Sequence, residues 1–359
     1  MSLTEEELKR YDRHLRLLEV GVKGQEKLKN SSVLVVGAGG LGCPALLYLN
    51  AAGVGTIGII DFDVVDLSNL HRQVLFNTAD IGENKAQVAK KKLTAQNSFV
   101  RCIAFDEKLT NKNALDIFSQ FDVIIDGTDN FSTRYLVNDA CVLLDKPLVY
   151  GAINNFEGQV SVFNYQGGPC YRCLFPEPPA PGSVRSCSEA GVLGVLPGII
   201  GSQQANEALK IILGIGEHLS GRLLIYNALN ASFNQLILEN TTCESAVKNS
   251  SDFESYNYDF FCGLEQVAAN SISLKDFESL SSNTIVLDVR EDWEQPKIND
   301  KKVLEIPLAE LPKKHASIPV DIPVYVVCQK GGRSASAIEY LEKEFSFQNL
   351  INVSEGMLG

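Results

Sequence analysis

Val33-Leu34-Val35-Val36-Gly37-Ala38-Gly39-Gly40-Leu41-Gly42 decides the fold. A β-branched apolar run enters a glycine-rich turn, and a helix-forming run, Ala45 to Ala52, leaves it. Strand, tight turn and helix in that order aim backbone N–H groups and a helix N-terminus at a phosphate. The glycines have separate tasks. Gly37 permits the sharp turn, Gly39 lets backbone approach the phosphates, and Gly42 lets helix and strand close on each other. With Gly40 they form the expected nucleotide-binding loop. A second strand, Thr56 to Ile60, ends on Asp61, an acid about twenty residues on, the spacing for a carboxylate on a ribose hydroxyl. The stretch predicts an adenine nucleotide and leaves the chemistry open.

The 359 residues suit two domains, with room for a third. Hydrophobic residues make up 45% and charged residues 21%, the balance of a globular protein with a sizeable core. The net charge of -12, without a basic block, argues against general nucleic-acid binding, which needs a positive footprint. No apolar run reaches membrane-spanning length, and Met1 to Arg10 is charged rather than signal-like, so no membrane association and a cytoplasmic location are expected. In that compartment the nine cysteines read as metal ligands or reactive thiols before disulfides.

Thr4 to Leu17 reads as a charged helix. The loop Asp66-Leu67-Ser68-Asn69-Leu70-His71-Arg72-Gln73 brings a cation, Arg72, near the nucleotide end of a strand. A helix opens at Gly82-Glu83-Asn84-Lys85 and runs to about Gln96. Lys85 at its start is disfavoured by the helix dipole, which suggests an anionic ligand; a surface lysine is the plainer reading. Val100 to Ala104 reads as strand, Asn113 to Gln120 as helix and Val123 to Asp126 as a buried strand. Gly127-Thr128-Asp129-Asn130 follows at that strand's C-terminal end, where ligands sit in open α/β sheets. Asp129 is a candidate Mg²⁺ ligand or a base behind one, and also a candidate cap for a helix beginning near Ser132. Leu148 to Tyr165 is hairpin-like, so the sheet is expected to be mixed.

Pro169-Cys170-Tyr171-Arg172-Cys173 supplies half of a tetrahedral zinc site. Downstream, Cys243-Glu244-Ser245-Ala246 offers only half a pair. Cys170, Cys173 and Cys243 give three thiolates where a structural site wants four, so little or no tightly bound Zn²⁺ is expected. Proline is dense from Leu174 to Leu193, which predicts a long surface loop. It holds Cys187, a candidate reactive thiolate beside Arg185; an inert, partly buried thiol is the alternative. A helix over Ile199 to Leu213 and strands over Leu223 to Tyr226 and Phe233 to Leu238 close the domain.

Residues 247–270 are polar and aperiodic and read as a linker between a domain over 1–246 and a smaller α/β domain over 271–359. In the latter, Thr284 to Asp288 is a buried strand followed by Val289-Arg290-Glu291. Another strand, Val324 to Val327, runs into Cys328-Gln329-Lys330-Gly331-Gly332-Arg333-Ser334 and a helix. A cysteine between a core strand and a helix N-terminus, with Lys330 and Arg333 close by, is placed to be a thiolate, and the loop N–H groups cradle an anion.

Two resemblances cover all but the linker. Residues from about 5 to 245 closely resemble the MoeB/ThiF/HesA adenylyltransferases, relatives of ubiquitin-activating enzymes. The resemblance rests on Arg10-Tyr11-Asp12-Arg13, Gly37 to Gly42, Asp61-Phe62-Asp63, Leu67 to Gln73, Gly82 with Lys85, Thr128-Asp129-Asn130, Cys170 with Cys173, and Cys187. Residues 271–359 resemble a rhodanese sulfurtransferase domain through Asp288 to Glu291 and the Cys328 loop. The implied architecture is a Rossmann-like nucleotide-binding domain with a mixed sheet, plus a small rhodanese-like α/β domain. Rhodanese domains commonly continue to a tryptophan, so a chain ending at Gly359 is expected to be trimmed there.

The resemblance implies that ATP, with Mg²⁺, adenylates the C-terminal glycine of a ubiquitin-like sulfur carrier ending in Gly-Gly. Sulfur transfer to a thiocarboxylate follows, for molybdopterin, thiamine or a related thiolation pathway. It implies Arg72, Lys85 and Asp129 on the reacting phosphate, Asp61 on the ribose, and Asn69 and Gln73 on the triphosphate. It also implies a homodimer in which Arg13 serves the partner subunit's ATP, and a persulfide on Cys328 loaded by a donor such as a cysteine desulfurase, with Arg333 nearby. The four residues between Cys328 and Arg333 favour sulfur transfer over phosphatase chemistry, which uses five. Two rival readings are an NAD-dependent oxidoreductase on the same glycine turn and a carrier-binding scaffold without catalysis. The first leaves Arg72, Lys85, Asp129 and Cys328 idle. The second is at odds with intact Arg13, Arg72, Lys85, Asp129 and Cys328.

Overall fold

The computed structural model describes residues 2–179, 191–238, 247–262, 270–329 and 331–358. They divide into two units, one of 2–178 with 191–258 and one of 179 with 259–262, 270–329 and 331–358.

In the first unit α1 (Glu5–Arg10), α2 (Asp12–Leu15) and α3 (Gly21–Asn30) precede β1 (Ser32–Val36). The expected single helix over 4–17 is broken at Tyr11, whose ring is buried and whose hydroxyl accepts from Asn97 Nδ2 at 3.0 Å. Then come α4 (Gly42–Ala52), β2 (Thr56–Ile60), α5 (Lys85–Gln96), β3 (Arg101–Phe105), α6 (Ala114–Phe118), β4 (Val123–Asp126) and α7 (Phe131–Leu143). A hairpin of β5 (Leu148–Asn154) and β6 (Glu157–Phe163) leads to α8 (Tyr171–Leu174), α9 (Leu196–Leu213), β7 (Arg222–Asn227) and β8 (Ser232–Ile237).

The strand order is β3-β2-β1-β4-β5-β6-β7-β8. β3 to β5 pair in parallel and the rest antiparallel, the mixed sheet that the hairpin predicts. Parallel strands covered on both faces need continuous apolar runs, and Val33 to Val36 are at most 2% exposed. The chain leaves β1 in one direction to β2 and later returns on its other side as β4. That reversal opens a crevice at the C-terminal ends of β1 and β4, the place where such sheets bind ligands.

Residues 247–262, in the stretch read from sequence as a linker, carry two short helices. Ser250–Ser255 forms α10, capped by Asn249, and Tyr258–Phe261 forms α11. Phe253 is fully buried, and the Tyr258 hydroxyl donates to Asp139 Oδ2 at 3.0 Å. Spaced aromatics gave these turns something to bury, which a count of polar residues does not register.

The second unit contains β9 (Ser271–Ile272), α12 (Leu274–Glu278), β10 (Ile285–Asp288), β11 (Lys302–Glu305), α13 (Leu311–Lys314), β12 (Val324–Val327), α14 (Gly332–Phe345) and β13 (Leu350–Val353). Its sheet is parallel throughout, in the order β11-β10-β12-β13-β9. Asp288 and Cys328 therefore leave neighbouring strands at the same edge.

Candidate functional site

Three loops meet at the crevice, from the ends of β1, β2 and β4. Gly37 has φ +90°, which only glycine adopts without strain, and its N–H donates to the Ile60 carbonyl at 2.9 Å. A Cβ on Gly42 would lie 1.9 Å from the Gly37 carbonyl oxygen, so the turn closes only without one. A Cβ on Gly39 meets nothing nearer than Gln73 Nε2 at 3.9 Å. That glycine faces open space, as a backbone that receives a phosphate should. Asp61 Oδ2 accepts from the Ala38 N–H at 2.8 Å and Oδ1 from the Asp63 N–H at 2.9 Å. Burial pushes the Asp61 carboxyl up from its ordinary range, against Lys85 and those two N–H groups.

The side chains of Arg72 and Gln73 reach the glycine loop. A 3₁₀ turn over Leu67–Asn69 lets the Arg72 and Gln73 N–H groups both donate to the Asn69 carbonyl, at 3.1 and 3.0 Å. Arg72 Cγ lies 3.5 Å from a Cβ built on Gly40, and its Nη1 donates to the Ser68 carbonyl at 3.2 Å. Gln73 Nε2 donates to Asn69 Oδ1 at 3.1 Å, while Gln73 Oε1 is buried with no hydrogen-bond partner. A buried orphan acceptor beside an open glycine turn suits a ligand that carries a donor or a bridging water.

Lys85 opens α5 behind its cap Asn84, where the sequence places it. It is buried, and Nζ donates to Asp63 Oδ2 at 3.0 Å. The anion that its position calls for is thus at hand in the free protein as Asp63. Asp129 differs from expectation in one respect. The cap of α7 is Asn130, whose Oδ1 accepts from the Thr133 N–H at 2.9 Å, because the helix begins at Phe131. Asp129 is exposed, and its carboxylate has no hydrogen bond or ion pair among the described residues. An uncommitted carboxylate fits Mg²⁺ carried on phosphate oxygens, which takes only one or two protein ligands. No group of three or more metal-ligating side chains occurs among the described residues. Arg13 is exposed on α2, outside this cluster.

Cys170 and Cys173 lie with their Sγ atoms 3.5 Å apart. With Zn–S bonds of about 2.3 Å, two corners of a tetrahedron stand at close to that separation. Cys243, the third thiolate, lies outside the described residues, as does Cys187.

In the second unit Cys328 is buried at the end of β12, with Sγ 3.4 Å from Ser334 Oγ. Gly331, at φ +83°, lets the chain turn into α14; a Cβ there would lie 1.8 Å from the Ser354 carbonyl oxygen. Arg333 is held in a fork by Glu294, at 2.7 and 2.6 Å. Arg290 is held likewise by Asp288 and reaches Gln329 Oε1 at 3.3 Å. Sequence reading names Arg333 but misses Glu294, which no local spacing connects to it. Lys330 lies outside the described residues.

A glycine turn at the switch point, an acid at the end of β2 and two cations from the following crossover define a nucleotide-binding domain. The ThiF family profile matches residues 11–245, and the chain belongs to that family. A sulfur carrier protein adenylyltransferase of Thermus thermophilus is 56% identical over 270 residues, 74% of this chain and 100% of that protein. The probable adenylyltransferase/sulfurtransferase MoeZ of Mycobacterium tuberculosis is 43% identical across 99% of this chain and 93% of its own. The adenylyltransferase and sulfurtransferase MOCS3 of Aedes aegypti is 41% identical across 97% and 85%. Among solved structures, Escherichia coli MccB with ATP superposes with a TM-score of 0.57 at 24% identity, over 66% of this chain and 73% of that one, a likeness of fold.

Proposed function

We propose that this chain uses ATP to adenylate the C-terminal glycine of a ubiquitin-like sulfur carrier and then delivers sulfur to it as a thiocarboxylate. The observation that carries the reading is the convergence of the Gly37–Gly42 turn, Asp61, Arg72, Gln73 and Lys85 at one switch point. The near full-length likeness to proteins named for both activities supports the second half. It favours this reading over hydride transfer or an inert scaffold.

The residues divide the work. The N–H groups of the glycine turn and the N-terminus of α4 receive phosphate oxygens. Asp61, fixed by Ala38, holds the ribose, and Asn69 and Gln73 orient the triphosphate. A glycine carboxylate oxygen bonds to the α-phosphorus while the bond to the β-phosphate breaks, and pyrophosphate leaves. Negative charge gathers on the α-phosphoryl oxygens, where Arg72 and Lys85 stabilise it. Lys85 is freed for this as a phosphate replaces Asp63 beside it. Mg²⁺, when bound near Asp129, supplies countercharge to the phosphates. The outer sulfur of a Cys328 persulfide then bonds to the acyl carbon and AMP leaves. A further thiol cleaves the resulting S–S bond, releasing the thiocarboxylate with formation of a disulfide. The persulfide is supplied by a protein donor such as a cysteine desulfurase.

Purified chain is expected to catalyse ATP–pyrophosphate exchange only when a carrier ending in Gly-Gly is present. A carrier lacking the last glycine should give none. Exchange without any carrier, or none with every such carrier from the same genome, would sink the reading. The same assay shows which pathway's carrier is used.

The exposed Arg13 belongs on this reading to the partner subunit's site in a homodimer. Mixed Arg13→Ala and Lys85→Ala chains, each inactive alone, should regain part of the activity, since one hybrid site is complete. Proven subunit exchange with no recovery would refute the donation.

A further inference from the structure

Behind Asp129 lies a buried ion pair to which adenylation has so far given no task. Asp126, the last residue of β4, is fully buried. Its Oδ1 accepts from the Thr128 N–H at 2.9 Å and from the Thr128 hydroxyl at 2.6 Å. Its Oδ2 accepts from Arg134 Nε at 3.3 Å, and Arg134 Nη2 donates to the Thr128 carbonyl at 3.1 Å. Thr128 is held at its N–H, its hydroxyl and its carbonyl, and the next residue is Asp129.

The clamp is itself anchored from several sides. The Arg134 guanidinium lies 5.1 Å from the centre of the Tyr150 ring and 5.8 Å from that of Phe131. The Asp126 carbonyl accepts from Gln204 Nε2 of α9 at 2.6 Å. Stability alone explains such a pair poorly, because a buried ion pair often does no better than apolar residues of the same volume. Capping of α7 does not require it either, since Asn130 already does that. What the pair does determine is the conformation of the turn that ends in a carboxylate with no contacts of its own.

We propose that Asp126 and Arg134 are positioning residues: they hold Thr128 so that the Asp129 carboxylate keeps one place at the C-terminal ends of β1 and β4. The proposal rests on the reading of Asp129 as a residue of the adenylation site. It assigns no substrate contact to either member of the pair.

The test uses the full chain and three substitutions that remove a contact of the clamp, Asp126→Asn, Arg134→Lys and Thr128→Val, each alone and combined with Asp129→Ala. Exchange kinetics, calorimetric ATP binding against Mg²⁺ concentration, and melting temperature are measured. The single variants should lose roughly ten- to a hundredfold in kcat, the scale of a displaced catalytic group, with KM for ATP within about twofold. The Mg²⁺ concentration for half-maximal ATP binding should rise severalfold. In the Asp129→Ala background the same substitutions should add nothing to either loss, because they act through that carboxylate. Losses that multiply in the double variants would make the pair structural only and overturn the proposal. So would single variants that melt lower but exchange at the wild-type rate per folded molecule. If Asp129→Ala alone exchanges normally, the site reading fails and the proposal with it. If Asp129→Ala is impaired while the others are normal, positioning alone fails. Should Asp126→Asn or Arg134→Lys not fold, Thr128→Val, which removes one hydroxyl, decides the matter.

Discussion

Alanine at Arg72, Lys85 or Asp129 is expected to slow carrier-dependent pyrophosphate exchange by roughly two orders of magnitude or more, the usual scale for removing a group aimed at developing charge. The three positions differ in what else they do, which makes the set informative. Asp129 is exposed and bonded to nothing described, so Asp129→Ala should leave the melting temperature unchanged. Arg72 is half-buried and holds only the Ser68 carbonyl and the His71 ring. Lys85→Ala empties a buried position and leaves Asp63 without its partner, but Asp63 is largely exposed and water can take over. Activity should therefore fall far more than stability in all three. Three folded variants with near-normal exchange would refute the site. A variant that loses stability and activity together would say nothing for Lys85 but would still leave Asp129 as a clean test.

The second large effect separates the two units. Cys328→Ala should leave carrier-dependent exchange intact and abolish thiocarboxylate formation from a persulfide donor. On the proposed reading adenylation takes place in the crevice of the first sheet. The thiol stands at the end of β12 in the second, turned into α14 by Gly331. Mass spectrometry of the carrier's C-terminus reads the outcome directly. Cys187→Ala is the necessary comparison. If it blocks thiocarboxylate formation while Cys328→Ala does not, sulfur passes through the proline-rich segment and the second unit has some other task.

What could be foreseen from the chain alone follows the reach of each interaction. The Gly37–Gly42 turn, the start of α5 at Lys85 and the buried strand at Val123–Asp126 were legible because short-range chemistry sets them. A glycine that must adopt positive φ, an asparagine that caps and a run of β-branched residues act within a few positions. The pairing of Lys85 with Asp63 joins residues 22 apart in sequence and that of Arg333 with Glu294 residues 39 apart, so neither shows as a local pattern. The ends of the Asp126–Thr128–Arg134 clamp are only 8 apart in sequence, yet it depends on a strand end and a helix start being brought face to face. Asp129 shows how fine the margin is. A helix that begins at Phe131 passes the capping task to Asn130 and leaves the acid before it uncommitted.

The second sheet closes on its own ends, with consequences during synthesis. Among the described residues β9, the first strand of that unit, pairs only with β13, through Asn352 with Ser271 and Val353 with Ile272. The Cys328 carbonyl accepts from the Met357 N–H at 2.9 Å, so even the thiol's own backbone waits for residues beyond β13. A ribosome finishes every strand of the first sheet before β9 emerges, and that nucleotide fold can form while translation continues. The thiol loop acquires this hydrogen bond only once Met357 has been made. A nascent chain thus gains the first sheet before the Cys328 loop is complete, and ribosomes stalled short of β13 would display the former without the latter.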